Sequence, residues 1–317
     1  MTKTEPDVLF FLGKGGTGKS TCAALCAIDL AGAGFRVCLS SFDDAHNLCD
    51  IFQTTFSHAP KTILPGLEVI QVDKDREIAS YLSGVTRKVK RNFTYLTAFN
   101  LGNYFDVLKL SPGMEAHALA ACFTGLKKKY MGWDYLIIDM PPTALSLSFF
   151  NLPTLSLLWV NQLEKLRLEI NKKKEIISKI KLVGKEITQD KVLARIMEIK
   201  SDHLDLKSFF EHKAKCYAVH NTDALSLAET KRIFDQLSIL GIKLAGLFCN
   251  HRTPDDMYQS AADPELPCRI LMDLPYCAQP LVGLDTLTRF TRQSGLNLAE
   301  ELKESVTRRP FQCPGRS

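Results

Sequence analysis

Residues Val8-Leu9-Phe10-Phe11-Leu12-Gly13-Lys14-Gly15-Gly16-Thr17-Gly18-Lys19-Ser20-Thr21 run from an apolar pentapeptide straight into a glycine-rich turn. Gly13, Gly18, Lys19 and Ser20 satisfy the pattern G-x-x-x-x-G-K-[ST]. Gly13, Gly15, Gly16 and Gly18 let the backbone turn tightly and aim successive N–H groups inward, as a concave nest for phosphate oxygens. A helix opening near Lys19 adds its positive N-terminal end. Lys19 would reach the β- and γ-phosphates of a nucleotide and the Ser20 hydroxyl would ligate Mg²⁺, with Thr17 and Thr21 completing the cradle. A strand, this loop and a helix in succession predict an α/β fold of the P-loop NTPase kind. Its sheet should be mostly parallel and flanked by helices.

A second lysine, Lys14, sits inside the loop. The loop needs no lysine there to fold, although a solvated surface lysine is the plain alternative. The pattern resembles the deviant phosphate-binding loop of the ParA/MinD/ArsA class of ATPases. That resemblance implies a homodimer closing over two ATP molecules, with Lys14 reaching across to the partner's nucleotide.

Further segments resemble the ArsA/Get group within that class. Phe35–Leu39 reads as a buried strand, followed by Ser40-Ser41-Phe42-Asp43-Asp44-Ala45-His46-Asn47-Leu48-Cys49-Asp50, similar to the group's first switch. Tyr135–Ile138 is an apolar strand ending in Asp139, then Met140-Pro141-Pro142-Thr143, similar to the second switch. Tyr217–Leu237 resembles the strand and helix before the adenine site, and Asn250 falls where the group has its adenine-contacting asparagine. The segment from Leu274-Pro275 to Leu284 resembles a further family stretch. The matches run in order from residue 8 to about 292. They imply Mg²⁺-dependent ATP hydrolysis in which Asp43 orients the attacking water, Lys14 and Lys19 stabilise phosphoryl charge, and Ser20, Asp43 and Asp139 serve the metal. Asp44 departs from the group's proline, and Ala144 and Leu145 from its glycine and histidine. These departures bear on how hydrolysis is coupled to conformational change.

The 317 residues suffice for one large α/β domain with a helical elaboration, and only one phosphate loop is found. Met1–Asp7 is polar, Val8–Leu12 is too short for a signal peptide, and no apolar stretch is expected to approach the roughly 20 residues of a membrane span. A cytoplasmic protein without an integral span is the expectation. No Cys-x-x-Cys occurs among ten cysteines, so buried thiols of a reducing compartment are expected. The resemblance would allow a zinc clip between subunits in Arg252–Arg269, but Cys268 alone supplies too few thiolates.

Leu155–Phe210 has helical periodicity, and the resemblance to the ArsA/Get group implies an inserted α-helical subdomain at about residues 76–112 and 154–213. From Glu164 to Lys215 there are fourteen basic and nine acidic residues, which carries the whole chain's net +5. Two readings stand for it. Its apolar faces either line a groove that shields a hydrophobic membrane-protein client, or pack on each other with the charges solvated. The basic residues alternate with acids and carry no recognition motif, so nucleic acid is not an expected partner. Arg308–Ser317 has the composition of a disordered tail. The resemblance leaves three uses for the ATPase: a carrier that targets tail-anchored membrane proteins, the motor of an arsenite or anion efflux pump, and a ParA/MinD-like positioning switch. The carrier is the reading adopted. The pump needs a soft thiolate site, and Cys122 shows no clear partner.

Overall fold

The computed structural model describes residues 4–92, 113–180, 190–252, 270–277 and 279–294, with isolated positions 111, 297 and 300. Eight strands form one sheet: β1 Asp7–Leu12, β2 Val37–Ser41, β3 Lys61–Leu64, β4 Leu67–Gln71, β5 Tyr135–Asp139, β6 Lys215–Asn221, β7 Leu244–Arg252 and β8 Ile270–Pro275. Their order is β3-β4-β2-β5-β1-β6-β7-β8. Every pairing is parallel except β3 with β4. The mostly parallel sheet read from the sequence is therefore present, with one antiparallel edge strand. Cys268 and the tail from Arg308 lie outside the described residues.

The helices are α1 Lys19–Gly32, α2 Asn47–Phe52, α3 Lys74–Asn92, α4 Met114–Lys129, α5 Thr143–Ile180, α6 Lys191–His212, α7 Ala224–Ile239 and α8 Leu284–Gln293. Strand alternation divides the core between the two faces of the sheet. Leu9, Phe11, Tyr135 and Ile137 point to α1, α2 and α8. Val8, Phe10, Leu12, Leu136 and Ile138 point to α4, α7, the start of α5 and the end of α6. Both faces are covered, which is why β1 and β5 read as continuous apolar runs.

The second layer is fastened by aromatic rings. Phe10 lies 5.2 Å from Phe150 between centroids, and Phe150 lies 5.0 Å from Phe210. Phe149 and Phe150 come from α5, and Phe209 and Phe210 close α6 in the same core. Both ends of the α5–α6 hairpin are thus rooted in the sheet.

Helix α5 runs 38 residues without a break through Pro153. It therefore starts in the second switch rather than after the proline, although a proline inside a helix removes one ladder hydrogen bond. The stretch Thr143–Ile176 is long and apolar enough, by length and composition, to cross a bilayer. This corrects the expectation that no apolar stretch approaches that length. Of its most apolar window, 39% is buried, with Phe149, Phe150 and Leu152 in the core of the sheet layer.

Candidate functional site

Gly13 leaves β1 with φ 149°, and a Cβ there would collide with the carbonyl oxygen of Val219 on the neighbouring β6. Gly18 precedes α1 with φ 85°, and a Cβ there would collide with the Asn250 amide. Only glycine fits these two approaches. Between them the loop closes on one acceptor. The Lys14 carbonyl oxygen receives the Thr17 hydroxyl at 2.9 Å, the Thr17 N–H at 3.3 Å and the Lys19 ammonium at 3.3 Å. Thr17, Lys19 and Ser20 are buried, while Gly15 and Gly16 face solvent. Thr21, the third residue of α1, is half-buried.

Helix α1 has no acidic residue in its first turn, and no side chain among the described residues caps it. Helices α6 and α7 are instead capped by Asp190 and Asp223, whose carboxylates accept N–H groups of the first turn. The N–H groups at the start of α1 are left to an anionic ligand, supported by the helix dipole.

Register brings the acidic residues to this end of the sheet. Phe11 on β1 and Ser41 on β2 both pair with Asp139 on β5, so the three strands end level at their carboxyl edge. Parallel α/β sheets bind ligands at that edge. The Ser41 hydroxyl donates to Asp139 Oδ2 at 3.0 Å and in turn accepts the Asp43 N–H at 3.3 Å. The Asp43 carboxylate accepts the Ala45 N–H at 3.2 Å, and the Asp43 carbonyl accepts Gln71 Nε2 at 2.8 Å. Asn47, opening α2, reaches the Ser20 hydroxyl at 3.4 Å. The two switch segments are thereby joined to each other and to the loop.

Asp139 is fully buried, and its Oδ1 has no hydrogen-bond partner. Burial pushes its carboxyl up to about 6 against the pull of Ser20, Lys19 and Ser41. A desolvated carboxylate oxygen left unpaired beside a serine hydroxyl is an oxygen donor set suited to a hard cation. Among the described residues no group of three or more His, Cys, Asp or Glu side chains could cage a metal.

Asn250, expected at the adenine, donates its Nδ2 to the Thr17 carbonyl at 3.0 Å and so braces the loop from behind. Ala144 and Leu145 lie in the first turn of α5. There the Pro142 carbonyl accepts the Leu145 and Ser146 N–H groups, and the Ser146 hydroxyl donates to the Pro141 carbonyl at 2.6 Å. Alanine and leucine suit a helical first turn, where glycine would loosen it. Sequence reading passed over Ser41 and Gln71. Each is a buried polar residue closing an apolar strand, a signal that goes unnoticed until register shows what lies beside it.

Six of the eight cysteines described are buried. Burial pushes the Cys38 thiol up to about 12 and raises Cys122 as well. Such thiols are poor thiolates and pack as small apolar side chains.

A parallel sheet with a phosphate loop after its central strand defines an α/β P-loop NTPase. Residues 6–271 match the profile of the anion-transporting ATPase family, and the chain belongs to that family. It is 27% identical over 303 residues to a protein of Aquifex aeolicus provisionally named arsenical pump-driving ATPase 2, covering 90% of this chain and 98% of that one. It is 26% identical over 274 residues to the ATPase get3 of Schizosaccharomyces japonicus, covering 84% and 79%. With the ATPase ASNA1 homolog of Cryptosporidium parvum it shares 26% over 247 residues, 76% of this chain and 64% of the relative, so it spans under two thirds of that protein. The protein is an ATPase.

Proposed function

We propose that the chain is a Mg²⁺-dependent, homodimeric, cytoplasmic ATPase that carries hydrophobic membrane-protein segments. The observation that carries this reading is a row of exposed apolar side chains on α5. Leu155, Leu158, Trp159, Leu163 and Leu166 are 48–74% exposed, and their spacing of three, four, eight and eleven residues keeps them on one helical face. A monomer seldom leaves such a patch to water unless something binds there. Ion pairs tie α5 and α6 to each other. Arg167 grips Asp190 with Nη2 at 2.9 Å from Oδ1, and Lys200 lies 2.7 Å from Glu164. The relatives named for get3 and ASNA1 agree with a targeting role.

In this reading the loop N–H groups, α1 and Lys19 hold the triphosphate. Bound Mg²⁺, held by Ser20 and Asp139 with Asp43 near, would neutralise phosphate charge. Asp43 orients water, since phosphoryl transfer needs positioning more than a strong base. Lys14 adds charge from the second subunit.

The Aquifex relative, named for driving an arsenical pump, favours a second reading, the ATP-hydrolysing motor of an arsenite or anion efflux pump. Against it, Cys122 is buried and its thiol resists ionisation. The test is a solubility assay with ATP and a hydrophobic tail peptide, beside ATPase rates with and without arsenite. The parent chain should keep the peptide soluble, and Leu158→Asp with Leu166→Asp should lose that while retaining the parent's unfolding midpoint. Arsenite-stimulated turnover that disappears in Cys122→Ser would favour the pump. Removing residues 160–212 would also take Phe209 and Phe210 out of the core, so point substitutions are the sound probe.

A further inference from the structure

Lys74 opens α3 just beyond β4, placing a cation at the helix end where the dipole disfavours one. Two carboxylates offset this cost. Its Nζ lies 2.6 Å from Asp44 Oδ2 and 3.2 Å from Glu115 Oε1. Asp44 belongs to the first switch and Glu115 to the first turn of α4, so one ammonium joins three elements. The hydrogen bond to Asp44, ahead of that to Glu115, raises the lysine's pKa and keeps it charged.

The position of Asp44 gives this cluster its meaning. It directly follows Asp43, whose carbonyl is already held by Gln71 from β4. Two residues further on, His46 adopts left-handed φ 52° and its Nδ1 donates to the Asp44 carbonyl at 2.6 Å. The segment is a short turn, and its outer side is fastened by Lys74. Helices α3 and α4 pack together through Ile78, Leu82 and Ala118, so Lys74 and Glu115 present a firm support to it.

We propose that Lys74 is a positioning residue for ATP hydrolysis, holding the Asp43 segment through Asp44 and tying it to α3 and α4 through Glu115. The proposal rests on the reading of Asp43 as the residue that orients water. Both carboxylates are about half exposed, so the pairs add little to global stability and are screened by salt. Turnover is the sensitive quantity, because small misplacements of a positioning group slow the chemical step.

The experiment is steady-state ATPase kinetics of the full chain in four variants, with two more held in reserve. Lys74→Ala should lower kcat about fivefold and leave KM for ATP within about twofold. Lys74→Arg should restore most of the loss, and Asp44→Asn combined with Lys74→Ala should be no slower than Lys74→Ala alone, since one interaction is removed twice. Parental kcat in Lys74→Ala, or no rescue by Lys74→Arg, overturns the proposal. Should Lys74→Ala fail to fold, Asp44→Asn and Glu115→Gln decide it: lowered kcat in both supports the proposal and parental kcat in both or either overturns it. Asp43→Asn, the fourth variant, separates the two claims. If it turns over like the parent, the reading of Asp43 falls and the proposal with it. If it is impaired while Lys74→Ala is parental, the role of Lys74 alone falls.

Discussion

The carboxyl edge of the sheet and the α5–α6 hairpin are built to opposite rules. At the edge, polar groups are buried and locked: Thr17, Lys19, Ser41 and Asp139 are almost without solvent exposure. On the hairpin, large apolar groups stand in water while charged pairs hold the helices together. The difference follows from what each region can bind. A charged ligand needs donors fixed in advance in a low-dielectric setting, because reorganising dipoles at the moment of reaction is costly. An apolar ligand needs only exposed area, since hydrophobic attraction scales with area and carries little direction.

The comparison breaks first at Lys19. Lys19→Ala should weaken ATP binding by at least about a hundredfold in a fluorescent-nucleotide titration, because a charge-assisted contact is lost inside a buried loop. The peptide-solubilising capacity of the hairpin without nucleotide should be untouched by that substitution. Equal ATP affinity in parent and variant would mean that the edge is not the nucleotide site.

Asp43→Asn comes next. It should cut turnover by about a hundredfold while ATP affinity stays within about threefold, since only an orienting carboxylate is removed. Lys14→Ala should share the slow turnover, and mixing the two variants should recover part of the activity. Each mixed dimer then holds one site with both groups. No recovery, with an ATP-bound chain that sediments as a monomer, would remove the partner's lysine from the mechanism.

The smallest effect belongs to the hairpin. Asp190 caps α6 and takes the Arg167 guanidinium, which holds its carboxyl well below the ordinary value of 3.8. A carboxyl depressed in the fold stabilises it above the unfolded value, and the contribution is lost as pH falls through that value toward the folded one. Asp190→Asn keeps an oxygen to cap the helix but loses the charge facing Arg167, so it should cost up to about 1 kcal/mol at pH 7, the size of a partly exposed ion pair. The gap to the parent should close below about pH 4 in denaturant titrations. A gap that is constant with pH would show that the ion pair contributes nothing there.

Local features were readable in advance. The loop and the helix that follows it were legible because glycine spacing and the Lys-Ser pair have few structural uses. The strand before Asp139 was legible from its apolar run, and β2 lay two residues later than expected, at Val37–Ser41 rather than Phe35–Leu39. Ser41 and Gln71 were not legible, since their partners lie 98 and 28 residues away along the chain. Nor was the continuity of α5, because Pro153 reads locally as a break and the core holding Phe149, Phe150 and Leu152 overrides it.

By itself the sequence determined the class of fold, the loop chemistry and the excess charge of the hairpin, because each depends on residue types at short spacing. Tertiary structure alone decided which polar strand ends meet and that Asp139 keeps one unpaired oxygen. It also decided that Asn250 braces the loop and that Lys74 joins Asp44 to Glu115. The reason is geometric: these contacts depend on strand order, register and helix packing, which bring together side chains that no local pattern relates.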